Sequence, residues 1–247
     1  MKPLRKTAEA LSMLPGGRKT DLLSNSIVAF HDPTGPSSEA YRMLCTNLFY
    51  AHVDDPPTVL AVTSAGPGEG KSITCANLGV SLAQVGKSVL LLDCDLRNPV
   101  QHNLFWSRKE VGLVDVVAGR CPLQQAWHEP VPGLKVVPAG RVPSNPTEIL
   151  GSRRFTDLLA WVRDEYDYVL IDTPPVRLVS DSAILARQGD GVLLVLDAKN
   201  ASKKSLRQAA KMLGNVGANV VGTVMNRVAA SGGEDDYGYL PGYYGSR

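Results

Sequence analysis

The chain has 247 residues, of which 44% are hydrophobic and 20% are charged, as is usual for a soluble protein with a full core. Its net charge of only +2 argues against a nucleic-acid or membrane binder that works through bulk electrostatics. The four cysteines form no CxxC pair and no zinc spacing with the four histidines, so we expect free, reduced thiols. The sequence contains neither a run of about 18 apolar residues, as a membrane span needs, nor the apolar region of a signal peptide.

Residues 1–36 are predicted to form a flexible basic leader. Their composition is charged and rich in turn formers, which favours disorder over a packed core. One alternative stays open, because Leu4, Leu11 and Leu14 could line a short basic amphipathic helix that touches a membrane or a partner.

The hydrophobic pattern becomes regular from Ser38 onwards. Ser37 or Ser38 is expected to cap a helix that has Glu39 in its first turn and extends to about Tyr50. The apolar face of this helix is predicted to hold Ala40, Met43, Leu44 and Leu48.

A series of apolar segments then alternates with helical patterns. The predicted strands are residues 59–63, 89–93, 134–138, 168–172, 192–197 and 220–226. The predicted helices are residues 73–85, 155–166 and 204–216, and Gly86 and Gly217 match the C-terminal caps of two of them. Such alternation predicts an α/β fold, with a mostly parallel sheet and helices on both faces, in one domain over residues 37–230.

Residues 231–247 break this pattern and are predicted to form a disordered tail. The segment is rich in glycine and begins with acidic residues, a composition typical of flexible chain. It holds half of the chain's eight tyrosines: Tyr237, Tyr239, Tyr243 and Tyr244. Composition alone does not decide whether this cluster has a function.

The first predicted strand leads into a phosphate-binding motif at residues 65–72. The sequence Ala-Gly-Pro-Gly-Glu-Gly-Lys-Ser matches GxxxxGK[ST] except at its first position, and it lies between a strand and a helix as the motif requires. Backbone N–H groups and the helix N-terminus would bind phosphate, Lys71 would contact the β- and γ-phosphates, and the Ser72 hydroxyl would bind Mg²⁺. The predicted cofactors are therefore ATP and Mg²⁺, on a P-loop NTPase-like fold. The loop residues assigned to cofactor binding are Gly66, Pro67, Gly68, Glu69, Gly70, Lys71, Ser72 and Ile73.

Acidic residues end two of the other predicted strands. Asp93 and Asp95 lie where open α/β sheets place their ligands, and two buried carboxylates need a cation nearby. An apolar strand that ends in Asp172 is typical of the Walker B element, whose carboxylate contacts magnesium directly or through water. Asn226 ends the last strand, where its amide could contact adenine or simply occupy a turn.

Taken together, these motifs resemble the bacterial tyrosine kinase (BY-kinase) family, the cytosolic kinases of polysaccharide export systems. The resemblance extends from about Glu39 to Arg227. The matching segments are Glu-Ala-Tyr-Arg with Thr-Asn (39–42, 46–47), the P-loop (67–72), Asp-Cys-Asp-Leu-Arg (93–97), Pro-Ser-Asn-Pro-Thr-Glu-Ile-Leu (143–150), Asp-Thr-Pro-Pro (172–175) and Asn-Arg (226–227).

By position, the resemblance implies a role for each acidic residue. Asp93 would act as the base toward a tyrosine hydroxyl, while Asp95 and Asp172, with Ser72, would organise magnesium. Asn226 and Arg227 would join the cofactor-binding set. The tail resembles the family's autophosphorylation segment, so Tyr237, Tyr239, Tyr243 and Tyr244 are the predicted phosphoacceptors.

The resemblance also implies partners and a location. Family members form homo-oligomers through a Glu-x-x-Arg-x-x-Arg motif, of which Glu39 and Arg42 are present while Cys45 stands in the last position. If that interface is used, Cys45→Arg is expected to strengthen self-association. A separate membrane adaptor of the polysaccharide co-polymerase type would hold the kinase in the cytoplasm, at the inner face of the plasma membrane, and protein tyrosines rather than nucleic acids would be its substrates.

Two other functions compete with the kinase. A partition- or division-type P-loop ATPase shares the three nucleotide-binding elements, but it carries a signature lysine where this chain has Gly66, and it leaves the tyrosine tail unexplained. A nucleotide-binding scaffold without kinase activity is the other, although the intact Lys71, Asp93 and Asp172 argue against it.

Overall fold

A seven-stranded sheet forms the centre of the computed structural model, which describes residues 23–51, 56–108 and 110–228. The strands are β1 (Val59–Ser64), β2 (Val89–Asp93), β3 (His128–Val131), β4 (Leu134–Val137), β5 (Tyr168–Asp172), β6 (Gly191–Asp197) and β7 (Val220–Asn226). Their order is β3-β4-β2-β5-β1-β6-β7. Only the β3–β4 pair is antiparallel, so six strands bring their carboxyl ends to one edge.

Helices cover both faces of this sheet. They are α1 (Val28–His31), α2 (Pro36–Ala51), α3 (Lys71–Gln84), α4 (Gln101–Leu104), α5 (Leu113–Val117), α6 (Leu123–Ala126), α7 (Pro146–Leu150), α8 (Arg153–Glu165), α9 (Asp181–Gln188) and α10 (Lys203–Asn215). Successive strand residues point to opposite faces, and in β2 Leu91 packs with α1–α3 while Leu90 and Leu92 pack with α5–α8. None of the described helices is both long and apolar enough to span a membrane.

The predicted fold class is confirmed, and each of the six predicted strands is present with ends within one residue of the predicted ones. The left-handed φ angles of Gly86 (+87°) and Gly217 (+67°) match their predicted roles as helix ends. Strand β3 was not predicted, because it is short, contains Pro130 and lies at the sheet edge. Such a segment lacks the continuous apolar run that marks a buried parallel strand.

The predicted boundary of the leader at residue 36 is wrong. Leu23, Ile27 and Ala29 are buried in the core with α2 and α3. Asn77 of α3 accepts a hydrogen bond from the Ala29 amide at 3.0 Å, and Gln84 donates to the Ala29 carbonyl at 2.8 Å. The folded region therefore includes residues 23–36. The remainder of the leader and the predicted tail with its four tyrosines lie outside the described residues.

Helix α2 differs from its prediction at its start and in its buried face. It begins at Pro36, and Ser38 is no cap: its hydroxyl donates to the carbonyls of Val28 (3.1 Å) and Asp32 (2.6 Å). Cys45 and Leu48 are buried, whereas Ala40 and Met43 are exposed. Leu44 is partly buried against the same core, so the buried face keeps Leu44 and Leu48 of the predicted one and adds Cys45.

Candidate active site

The phosphate-binding loop connects β1 to α3 at the carboxyl edge of the sheet. Gly68 and Gly70 have φ angles of +74° and +94°, in the left-handed region that glycine adopts most readily. A Cβ at Gly70 would lie 2.0 Å from Nδ2 of Asn226, so a larger residue there would displace the Asn226 amide group from the loop. The Glu69 carboxylate accepts a hydrogen bond from the Ala65 amide at 3.0 Å and thereby closes the loop.

The N-terminus of α3 is available to a phosphate group. Gly70 is its N-cap, and no side chain of the described residues caps it. The first amides of a helix have no intrahelical partner, and they carry the positive end of the helix dipole. Because Gly66, Pro67 and Ile73 lie in this loop and in the first turn of α3, the predicted phosphate-binding residues form one continuous segment.

Lys71 lies among the groups predicted to bind magnesium. Its Nζ is 2.9 Å from Asp95 Oδ2 and 3.4 Å from Asp172 Oδ1, and it donates to the Ser72 hydroxyl at 2.9 Å. Burial alone would lower the pKa of Lys71, but attraction to Asp172 and Asp95 outweighs burial and raises that pKa. The lysine is therefore charged at neutral pH, as phosphate binding requires.

Asp93 is fully buried beside these groups, with one oxygen satisfied and one not. Its Oδ2 accepts hydrogen bonds from the amides of Val100 (3.1 Å) and Gln101 (3.0 Å). Its Oδ1 is buried without a hydrogen-bond partner among the described residues. Burial and then repulsion by Asp172 raise the pKa of Asp93 well above its usual value. A buried acceptor of this kind needs a donor, such as a hydroxyl group or a water molecule.

Gln101 is a site residue that the sequence did not reveal. Its Nε2 donates to Asp172 Oδ2 at 2.8 Å and to the Ser72 carbonyl at 3.1 Å. Its Oε1, like Asp93 Oδ1, is buried and unpartnered among the described residues. Burial raises the pKa of Asp172, and Lys71 and Gln101 partly offset that effect. No local motif marks Gln101, which follows β2 in the one-turn helix α4.

A second polar network supports the loop after β2. The Arg97 guanidinium binds the buried carboxylate of Asp181 through Nε (2.7 Å). Thr147 donates to the other Asp181 oxygen at 2.6 Å and accepts from Arg97 at 3.2 Å. Arg97 and Thr147 belong to two of the motifs that carried the resemblance, and Asp181, which was not predicted, joins them.

Asn226 supports the phosphate loop from the far strand. Its Nδ2 donates to the Glu69 carbonyl at 3.0 Å, while Arg227 pairs with Asp197 at 2.7 Å. The amide group of Asn226 is thus engaged by the loop itself. Its predicted contact with adenine, and the predicted cofactor contact of Arg227, stay predictions.

The oxygen atoms at this edge suit a magnesium ion that is shared with substrate phosphates and water, rather than a metal ion bound by protein ligands alone. Within residues 23–51, 56–108 and 110–228, no group of three or more His, Cys, Asp or Glu side chains is placed to hold a metal ion. Mg²⁺ usually takes one or two carboxylates and fills its other positions with water and substrate phosphates. Ser72, Asp95 and Asp172, which all surround Lys71, supply that kind of donor set.

Comparisons with known proteins point to one family. A sequence model of the AAA domain matches residues 57–224. The tyrosine-protein kinase YwqD of Bacillus subtilis is 37% identical over 218 residues, which are 88% of this chain and 92% of YwqD. The kinase domain of Escherichia coli tyrosine kinase ETK superposes with a TM-score of 0.76 at 33% identity, over 86% of this chain and 84% of that one.

Two further comparisons involve a longer kinase and a protein of lower identity. The tyrosine-protein kinase wzc of Salmonella typhimurium is 35% identical over 90% of this chain, but the match spans only 31% of wzc. The septum site-determining protein MinD of Pyrococcus horikoshii, solved with Mg-ADP, has a TM-score of 0.60 at 24% identity, over 71% of this chain and 72% of MinD. That last likeness shows the shared fold alone.

Proposed function

The chain belongs to the family of bacterial tyrosine-protein kinases, and from that premise we propose that it transfers the γ-phosphoryl group of Mg²⁺–ATP to tyrosine hydroxyls. Its first substrates would be the tyrosines of its own tail: Tyr237, Tyr239, Tyr243 and Tyr244. The observation that carries this proposal is the unpartnered oxygen of Asp93, buried beside Lys71 and Asp172 at the carboxyl edge of the sheet.

Lys71 and the loop amides would bind the phosphates. The ammonium group lies between two carboxylates, and phosphate oxygens would compete with Asp95 and Asp172 for it. Bound Mg²⁺ would neutralise charge that develops on the transferred group, and Ser72, Asp95 and Asp172 would hold it. Catalysis of this kind rests on positioning and charge stabilisation rather than on covalent chemistry.

Asp93 would orient the attacking hydroxyl and accept its proton late in the transfer. An ordinary aspartate, with a pKa near about 3.9, is a weak base toward a phenol near about 10. Burial and Asp172 raise the pKa of Asp93, and a higher pKa strengthens a general base. The two backbone amides fix one oxygen, so that the other is free to meet the hydroxyl.

The kinase is favoured over the two competing functions. A division-type switch is represented by MinD of two Pyrococcus species at 24% and 27% identity, below the 33–37% of the kinases compared above, and Gly66 stands where its signature lysine would be. An inactive scaffold would not need Lys71, Asp93, Asp95 and Asp172 gathered within one buried site.

The proposed setting is polysaccharide synthesis or export at the inner face of the plasma membrane. YwqD is similar to this chain over almost its whole length, whereas the match covers about a third of wzc, so the kinase unit occurs both alone and within longer chains. We expect a separate membrane adaptor of the polysaccharide co-polymerase type to bind this chain. Homo-oligomers would bring one subunit's tail to the active site of the next.

Phosphotyrosine mapping tests the proposal. The full chain with Mg²⁺–ATP and its adaptor should gain phosphate on the tail tyrosines, as read by mass spectrometry. Asp93→Ala should reduce the initial rate by about 10²–10⁴-fold, the usual contribution of a general base, and Lys71→Met should abolish transfer. Phosphate found only outside the tail, or an unchanged rate in Asp93→Ala, would contradict the assigned roles.

A further inference from the structure

The outer face of α10 carries a concentration of unpaired positive charge. Five exposed cations lie on this helix and the turn before it: Lys199, Lys203, Lys204, Arg207 and Lys211. None of them pairs with an acidic side chain in the part of the chain that the structure describes. We refer to these five residues as the basic face.

Among the residues that the structure describes, the fold leaves the basic face without an acidic partner. Ala209 and Leu213 are fully buried against the sheet, so the charged side of α10 points outward. Arg177 donates to Ser205 in the first turn at 3.0 Å and adds a further cation there. No Asp or Glu occurs between Asp197 and Glu234, while the chain as a whole is nearly balanced at 26 basic and 24 acidic residues.

The end of β7 lies beside the start of the basic face. The Ala198 amide, one residue before Lys199, donates to the Asn226 carbonyl at 2.8 Å. Glu234, the first of the consecutive acids Glu234, Asp235 and Asp236, lies six positions after Val228, a distance of up to about 20 Å when extended. Lys203 to Lys211 covers about 12 Å of helix, so the acids can reach any part of the basic face.

We propose that the basic face of α10 is the docking surface for the acidic residues 234–236 of the same chain. Opposite charges that are joined by a short connection, here from the end of β7, meet at a high effective concentration, of the order of mM. This favours the chain's own acids over those of another protein. An anionic membrane is a poorer match, since surface helices also insert apolar side chains and Met212 is the large apolar residue exposed on α10.

Docking would make the binding of the tail to the basic face depend on the tail's phosphorylation. Tyr237 directly follows the acidic residues, and each phosphotyrosine adds about −1.5 to −2 charge. A phosphorylated tail should therefore remain docked at a higher salt concentration than an unphosphorylated one. This consequence rests on the proposed kinase function, whereas the docking itself does not.

Paramagnetic relaxation in the full chain, without nucleotide, tests the docking. A nitroxide is attached at Gly238→Cys in a Cys121→Ser background, since the other three cysteines are buried. Amide signals of residues 203–211 should broaden in about 0.01 M salt and recover in about 1 M salt, where the Debye length falls from roughly 30 Å to roughly 3 Å. The broadening should be lost in K203E/R207E/K211E and in E234K/D235K/D236K, and it should return when both triple variants are combined.

Matched controls separate docking from a general charge effect. R108E/R141E/R153E changes the net charge equally at exposed positions off α10 and should keep the broadening. Broadening that persists in K203E/R207E/K211E, ignores salt, or lies elsewhere on the surface would overturn the proposal. So would broadening in a mixture of spin-labelled chain with isotope-labelled, spin-free chain, which would assign the surface to a neighbouring copy. The basic face would instead be assigned to a membrane if the chain bound phosphatidylglycerol vesicles, the K203E/R207E/K211E variant did not, and the nitroxide caused no broadening.

Discussion

Gln101 connects the acidic residues of the candidate site to the start of α3. Its side chain joins the carboxylate of Asp172 to the first turn of α3, and its backbone amide binds Asp93. Because the side chain is fully buried, water cannot replace these bonds. Gln101 is thus a positioning residue for both acidic groups.

Gln101→Leu removes the side-chain bonds, keeps a similar volume and retains the backbone amide. A buried carboxylate that loses a donor is destabilised by about 1.5–3 kcal/mol, so we expect the rate of autophosphorylation to fall roughly 10- to 100-fold. If Asp172 is displaced, the variant should also need a higher Mg²⁺ concentration for half-maximal rate. Initial rates across a magnesium titration measure both effects.

The matched control for this variant is Gln125→Leu on α6, where the glutamine is exposed. It should leave the rate and the magnesium dependence unchanged. A Gln101→Leu enzyme with normal magnesium dependence and a reduced melting temperature would instead show a purely structural role.

At the scale of elements, the strands and helices could be predicted from local sequence patterns, whereas side-chain pairs between distant parts of the chain could not. The parallel strands are continuous apolar runs because both faces of the sheet are covered, and their acidic ends therefore marked the site. Gln101 meets Asp172 across 71 positions and Arg97 meets Asp181 across 84. No periodicity encodes such pairs, and only the folded chain reveals them.

Helix α2 was predicted as an element, but the hydrophobic pattern did not mark Cys45 as part of its buried face. Cys45 is buried in the core, and burial raises the pKa of its thiol to about 12. Glu39 and Arg42 pair with each other on the partly exposed side. An arginine at position 45 would thus enter the core rather than extend a surface with these two residues.

We therefore expect Cys45→Arg to lower the free energy of unfolding by about 3–5 kcal/mol, the usual effect of an unpaired buried charge. This replaces the expectation from the family motif, under which the substitution would strengthen self-association. Urea unfolding provides the measurement, and Met43→Arg on the exposed side of α2 should change stability by less than about 0.5 kcal/mol. A folded Cys45→Arg protein that sediments as a larger assembly would restore the motif-based interpretation.

Across the whole molecule, the charge that serves catalysis works against the stability of the fold. Asp93, Asp95 and Asp172 are all buried at one sheet edge, and Lys71 is the cation that pairs with two of them. Burial raises the pKa of Asp93 and of Asp172 above their usual values. A carboxyl group with a raised pKa in the folded state contributes most to stability while protonated, and its contribution falls as pH increases.

Asp93→Asn should therefore stabilise the protein at neutral pH while it reduces the rate of phosphorylation, as Asp93→Ala does. The amide oxygen of asparagine can accept the bonds from Val100 and Gln101, and the repulsion from Asp172 disappears. We expect a gain of about 0.5–2 kcal/mol, or about 2–4 °C in melting temperature per kcal/mol for a chain of this size.

The gain should vanish below the unfolded pKa of about 3.9 and grow as pH increases through the raised pKa of the folded state. Calorimetric scans from about pH 4 to about pH 8 test this, and the exposed Asp164→Asn controls for the loss of one surface carboxylate. A lower melting temperature for Asp93→Asn at neutral pH would mean that the charged carboxylate stabilises the fold, and the conflict between activity and stability at this edge would not exist.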